Sequence, residues 1–112
     1  MLFRSYHLRG IISPHVGNLS FLRNLSLVDN SFHGEIPPEL GRLFSLEKLW
    51  LSNNTLTGEI PWNLTSCYEL KVLFLNGNSL IGTIPYQLGA LHKLQQLQLH
   101  VNNLTGEIPL PI

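Results

Sequence analysis

The chain has 112 residues, the length of one domain. Seven Lys and Arg balance seven Asp and Glu, and only 12% of residues are charged. There is thus no basic footprint for DNA or RNA and no attraction to an anionic membrane surface. No run approaches the roughly 20 apolar residues of a membrane span, and the single cysteine excludes an internal disulfide or a paired-cysteine metal site.

From the N-terminus onward the chain repeats itself. Gly10, Gly34, Gly58, Gly82 and Gly106 stand 24 residues apart, and a fixed period of that length predicts a solenoid. The first turn is the weakest copy. It has Met1 and Phe3 in place of strand leucines, Tyr6 in place of an asparagine, and L-R-G-I-I-S from Leu8, with Ser13 where later turns have proline. The second turn sets the pattern with Leu22, Leu25, Leu27 and Asn30, then F-H-G-E-I-P from Phe32. Leu25 and Leu27 alternate with Asn24, Ser26 and Val28, which predicts a short half-buried strand.

The third turn repeats this as Leu46, Leu49, Leu51, Asn54 and L-T-G-E-I-P from Leu56. The fourth runs Leu70, Leu73, Leu75, Asn78 and L-I-G-T-I-P from Leu80. The fifth runs Leu94, Leu97, Leu99, Asn102 and L-T-G-E-I-P from Leu104. Successive strands in this register pair in parallel, about 4.8 Å apart. Asn30, Asn54, Asn78 and Asn102 are expected to form a buried ladder, because an asparagine amide can serve backbone carbonyls and N–H groups together. The glycine column is expected at positive φ, or where the next turn's backbone comes close. Ile36, Ile60, Ile84 and Ile108 should point inward, and Pro37, Pro61, Pro85 and Pro109 should stiffen the start of the return path. Cys67 occupies the column of Leu19, Leu43 and Leu91 and reads as a small core hydrophobe.

The full pattern, L-x-x-L-x-L-x-x-N-x-L-x-G-x-I-P, resembles the plant-specific subclass of leucine-rich repeat. Ile12 to Leu22, I-S-P-H-V-G-N-L-S-F-L, is similar to the opening repeats of plant receptor-kinase ectodomains, within them most of all to receptors of bacterial peptides. The resemblance implies an α/β repeat solenoid, a right-handed superhelix. A short parallel sheet would line its concave face, a second short strand would form around the G-x-I-P stretch, and a 3₁₀ or irregular return would cover the convex face. Leu40, Leu64 and Leu88 would then be the core contacts of the return segments. Residues 1–112 form one domain of about four and a half repeats. It is expected to be incomplete at both ends, because Met1 falls within a strand, the chain stops just after a fifth G-x-I-P, and the cysteine-paired caps of such ectodomains are absent.

Outward strand residues form the concave face, the docking surface of stacked repeats. One column reads Ser26, Trp50, Phe74, Gln98; it is flanked by Asn24, Lys48, Val72, Gln96 and by Val28, Ser52, Asn76, His100, with Asp29, Asn53, Gly77, Val101 beyond. Trp50 and Phe74 on adjacent strands have the character of a binding hot spot, or else fill each other's cross-strand space. A peptide or a partner's loop is the expected ligand, with Trp50, Phe74, Gln98, Lys48, Asp29 and His100 contacting it and a co-receptor as a second kind of partner. Arg23, Glu47, Lys71 and Gln95 read as a solvated edge.

Five N-x-S/T sequons, at Asn18, Asn24, Asn53, Asn63 and Asn103, offer glycan sites in a secreted parent. Asn18 and Asn63 fall on the return path. No nucleotide loop, kinase, zinc-protease or nucleophile-elbow motif occurs. Glu35 and Glu59 stack on neighbouring turns but lie in the exposed slot of G-x-I-P, and the five histidines fall in different columns. No catalysis and no cofactor are therefore expected, and a kinase would belong to a domain outside this chain. The N-terminus lacks the apolar run of roughly 7 to 15 residues of a signal peptide, so an extracellular address would be the parent's. Three readings stay open: a piece of a cell-surface receptor acting in ligand perception, signalling or defence; a secreted inhibitor of a cell-wall hydrolase such as polygalacturonase; and a nonfunctional truncation.

Overall fold

A computed structural model describes residues 1–3 and 6–106. In chain order the first elements are β1 (Arg9–Ile11), the 3₁₀ segment η1 (Pro14–Asn18), β2 (Asn24–Ser26), β3 (Ser31–Glu35) and η2 (Pro38–Arg42). Then come β4 (Lys48–Trp50), β5 (Thr55–Thr57), η3 (Trp62–Ser66), β6 (Val72–Phe74) and β7 (Ile81–Thr83). The last are η4 (Tyr86–Ala90), β8 (Gln96–Gln98) and β9 (Asn103–Thr105). A turn is thus a strand, a second strand and a 3₁₀ return, the architecture that the resemblance implied.

β2, β4, β6 and β8 form a parallel sheet with Leu25, Leu49, Leu73 and Leu97 directly opposite one another. Ahead of β2, Leu2 bridges to Ser26, so the first turn adds the start of a further strand. The second strands form a smaller sheet, β1–β3–β5, and a separate pair, β7–β9. Between these two sheets there is a single bridge, Glu59 to Ile81.

The core lies between the sheets and the 3₁₀ segments. Leu22, Leu46 and Leu70 enter from before the strands, Leu27, Leu51 and Leu75 from after them, and Leu40, Leu64 and Leu88 from the returns, all of them buried. Each fully buried leucine contributes roughly 1.5–3 kcal/mol of transfer free energy. Ile36 and Ile60 are buried and Ile84 is partly so. Ile108 and Pro109 lie outside the described residues. Cys67 is fully buried, donates its Sγ–H to the Leu40 carbonyl at 3.4 Å, and burial pushes its thiol up to about 11.

Pro37, Pro61 and Pro85 cap the 3₁₀ segments with φ of −68°, −70° and −57°, values the pyrrolidine ring sets in advance. In the first turn Ser13 replaces the ring with a hydrogen bond, its Oγ accepting from the His15 N–H at 3.2 Å.

Asn54 shows how the chain satisfies its irregular backbone. Its Nδ2 donates to the carbonyls of Leu27 (2.9 Å), Leu51 (3.1 Å) and Ser52 (3.2 Å), while its Oδ1 accepts from the Phe32 N–H at 3.1 Å. Asn78 and Asn102 repeat the arrangement one and two turns on. Asn30 serves the atypical first turn, donating to Phe3, Leu27 and Val28 and accepting from Tyr6 and Leu8. The exposed Tyr6 therefore needs no amide of its own for its backbone N–H to be paired.

The glycines of the G-x-I-P column do adopt positive φ, +77° at Gly34, +75° at Gly58 and +80° at Gly82. What approaches them is a side chain of the preceding turn rather than the next turn's backbone. A Cβ on Gly58 would lie 2.6 Å from Glu35 Oε1, and one on Gly82 would lie 2.8 Å from Glu59 Oε1. Close backbone approach occurs instead in the returns, where a Cβ on Gly17 would meet the Glu39 carbonyl oxygen at 2.6 Å.

Candidate functional site

The concave sheet carries an open groove of about 450 Å³ lined by Leu2, Ser26, Val28, Trp50, Ser52, Phe74, Asn76 and Gln98. Strand pairing sets its floor, because Ser26, Trp50, Phe74 and Gln98 follow one another across β2, β4, β6 and β8. The two rings are half-buried rather than fully open. They stand directly opposite each other on paired strands, so each covers one flank of the other.

Other outward positions are more enclosed than alternation alone predicts. Ser26 and Ser52, beside the rings, are buried. Val72 is buried too, in register between Lys48 and Gln96, whose long side chains can lie across it. Ser52 Oγ donates to Asn76 Oδ1 at 2.7 Å, which holds the Asn76 amide in the groove wall.

Of the six expected contact residues, Trp50, Phe74 and Gln98 line this groove, while Lys48, Asp29 and His100 do not. Lys48 is exposed at the start of β4. Asp29 is exposed at a left-handed corner (φ +59°), where its Oδ1 accepts from Asn53 Nδ2 at 2.8 Å. His100 is exposed and lines a separate cleft of about 380 Å³ with Ile84, Leu97, Leu99 and Leu104. Leu2 is the lining residue that strand patterning overlooks, although it stands one period before Ser26 in the same column.

A cleft of about 420 Å³ at the first turn is walled by Met1, Phe3, Leu8, Ile12, Val16 and other apolar residues, with few groups to orient a ligand. Beside the concave face, Glu47 and Lys71 form an ion pair at 3.2 Å, and Glu69 and Lys93 another at 2.6 Å. The hydrogen bond and charge of Lys93 hold the Glu69 carboxyl below the usual carboxylate range. Among the described residues no three His, Cys, Asp or Glu side chains are placed to hold a metal ion. No helix among them is long and apolar enough to cross a membrane.

The five sequon asparagines are scattered. Asn18 is exposed on η1, Asn24 is exposed on concave strand β2, and Asn103 is exposed at the start of β9. Asn63 is half-buried in η3 and lines an outer cleft with Arg42 and Phe44. Asn53 is exposed, but its amide is engaged with Asp29.

Two family descriptions match this periodic core in tandem, a single leucine-rich repeat over residues 21–43 and leucine-rich repeats in two copies over residues 44–88. A chain of the BIR3–SERK2 complex from Arabidopsis thaliana superposes with a TM-score of 0.93 at 37% identity, covering 98% of this chain and 59% of that one. The chain is a leucine-rich repeat protein.

This leucine-rich repeat chain also resembles plant receptor-kinase ectodomains. It is 67% identical over 30 residues to the receptor kinase-like protein Xa21 of Oryza sativa subsp. japonica, a match covering 27% of this chain and 3% of that protein. The plant peptide hormone receptor RGFR1, solved with RGF2, is 36% identical with a TM-score of 0.90 over 92% of this chain and 16% of its own. The leucine-rich repeat chain thus spans only a small part of such receptors, and its fold is a scaffold for binding.

Proposed function

We propose that this segment belongs to the extracellular recognition surface of a plant receptor-like kinase and binds an extended peptide, or a partner protein's loop, along its concave groove. The observation that carries this reading is the in-register Trp50–Phe74 pair in a groove that also offers Ser52, Asn76 and Gln98. Large aromatic rings supply contact area at small conformational cost, and the amides and hydroxyl meet a peptide's backbone groups. Lys48 and Asp29 as charges, and His100 as a polar ring, lie outside the groove and orient the ends of a longer ligand.

RGFR1 with its bound RGF2 supports a peptide as the ligand class, and the BIR3–SERK2 complex supports a second ectodomain as co-receptor. Signalling or defence would then be the role of the whole receptor, with any kinase activity in a domain beyond these residues and the repeats on the extracellular side of the membrane.

The test is selection of a displayed random-peptide library against the folded chain. Enriched peptides should lose binding to a Trp50→Ala/Phe74→Ala variant whose circular dichroism is unchanged, and retain binding to an Arg42→Ala variant on the opposite face. Peptides that bind the double variant as well as the parent chain would sink the proposal.

A further inference from the structure

We infer that the outer wall between the third and fourth turns carries a second binding site, for a neutral pyranose sugar, in the cleft between Trp62 and Tyr86. The cleft has an origin in the repeat itself. In the 3₁₀ returns, Gly17 and Gly41 share a column where the following turn's carbonyl, of Glu39 or Asn63, comes too close for a Cβ. One period later that column holds Thr65. The Cβ of Thr65 keeps the next return at a distance, and η3 and η4 pack less closely than the two earlier pairs of 3₁₀ segments. The second sheet breaks at the same junction, where the bridge from Glu59 to Ile81 replaces a strand pair.

The opening is a cleft of about 270 Å³ whose walls include Glu59, Trp62, Thr83, Tyr86 and Gln87. Ligand sites usually span about 300–1,000 Å³, so this one matches a single ring rather than a peptide. Trp62 is 59% exposed and Tyr86 is 78% exposed. Single exposed aromatics need no explanation, but these two flank one opening whose walls also carry a carboxylate, an amide and a hydroxyl.

That combination matches a pyranose, which presents an apolar C–H face to an aromatic ring and a rim of hydroxyls to polar groups. Glu59 is exposed, and among the described residues its carboxylate has no hydrogen-bond or ion-pair partner. It lies over Gly82, free to accept from sugar hydroxyls. Its negative charge opposes a uronate, so the site selects neutral sugars. None of its lining residues is shared with the groove of Trp50 and Phe74, so it does not depend on that groove.

The experiment titrates cellohexaose, chitohexaose and trigalacturonate into the full chain, made without glycosylation, and follows saturation-transfer NMR and calorimetry. At least one neutral oligosaccharide should bind, and Trp62→Ala/Tyr86→Ala should weaken it by about tenfold or more. Thr65→Gly keeps both rings but lets the fourth return close in, and should weaken binding similarly while the thermal unfolding curve stays cooperative. Glu59→Gln should keep the neutral sugar and gain affinity for trigalacturonate. Failure of both neutral probes to bind the folded chain, or binding that survives the double substitution, would overturn the assignment.

Discussion

The side-chain amide of Asn53 donates to the carboxylate of Asp29, one turn before it, at 2.8 Å, and both backbones are left-handed, with φ of +58° and +59°. The column continues through Gly77 at +72° and Val101 at +56°. Every inner strand is followed by this corner, so the fold imposes the same conformation whatever residue is present. Asp and Asn tolerate it and Gly accepts it freely, whereas a β-branched valine is strained there.

Val101→Asn should therefore stabilise the chain. Relief of left-handed strain is worth about 1–2 kcal/mol, and the replaced side chain is 72% exposed, so little packing is lost. The thermal midpoint should rise by roughly 4 °C or more, read by circular dichroism; a fall would mean that the corner is not strained.

Gly77→Ala should act in the opposite direction. It adds a Cβ at positive φ in the place where the Asn53 side-chain Oδ1 packs. A loss of about 1–2 kcal/mol is expected from conformation alone, with a further loss if the Asn53–Asp29 bond is displaced. Urea unfolding of the single variant beside Gly77→Ala/Asn53→Ala separates the two contributions, since the second variant removes the clash.

Asn54→Ala takes the acceptor from the partly buried Phe32 N–H and one of two donors from the carbonyls of Leu27, Leu51 and Ser52, which keep Asn30 Nδ2, Asn78 Nδ2 and the Asp29 N–H. Leaving such a group unsatisfied costs about 1–3 kcal/mol, so a loss of about that size is expected. Asn102→Ala removes a similar set near the partly exposed end of the described structure, where water can substitute. The urea midpoint should fall clearly further for Asn54→Ala; equal effects would mean that burial does not govern the ladder's contribution.

What the period made legible is whatever each turn repeats: inward leucines, strand register, the proline-led return and the glycine column. Features set by one turn against the next were harder to read. The left-handed corner holds Asp, Asn, Gly and Val in succession, so no single residue type announces it. The glycines of G-x-I-P show their conformational need in the sequence, but that Glu35 and Glu59 lie across Gly58 and Gly82 depends on the stagger of neighbouring turns. Alternation places Trp50, Phe74 and Gln98 in the groove, while Lys48 at the start of β4, Asp29 at the left-handed corner and His100 lie outside its lining. Thr65 shows the same limit, since a single departure from glycine opens a wall only in the stacked structure.

Cys67 gives a pH-dependent prediction. Its folded pKa, about 11, lies above the ordinary thiol value of 9.0 because burial disfavours the thiolate. Between those values the native state holds the proton that the unfolded chain releases, so stability is fully present below pH 9, falls as pH rises, and levels off above about 11. The loss should be on the order of 2 kcal/mol in urea titrations between pH 8 and 11, and Cys67→Ala should flatten the slope. Thiol reagents should modify the native chain slowly at pH 8 and the unfolded chain at once.

The sequons test which asparagines the folded surface leaves room to modify. Asn18 is exposed on the outer return, and Asn63 lines a cleft of about 310 Å³ with Arg42 and Phe44, so a glycan at either can project outward. The Asn53 Nδ2 donates to Asp29, and a glycan on that nitrogen competes with this bond. Peptide mapping of secreted material, with and without glycosidase, should find Asn18 and Asn63 occupied and Asn53 bare. Asn24 has a different consequence, because it projects from the concave strand β2 two residues before Ser26 in the groove. If it is occupied, Asn24→Gln should strengthen peptide capture by the groove, whereas Asn18→Gln should leave capture unchanged; equal effects of the two would argue that the concave face is not where the peptide sits.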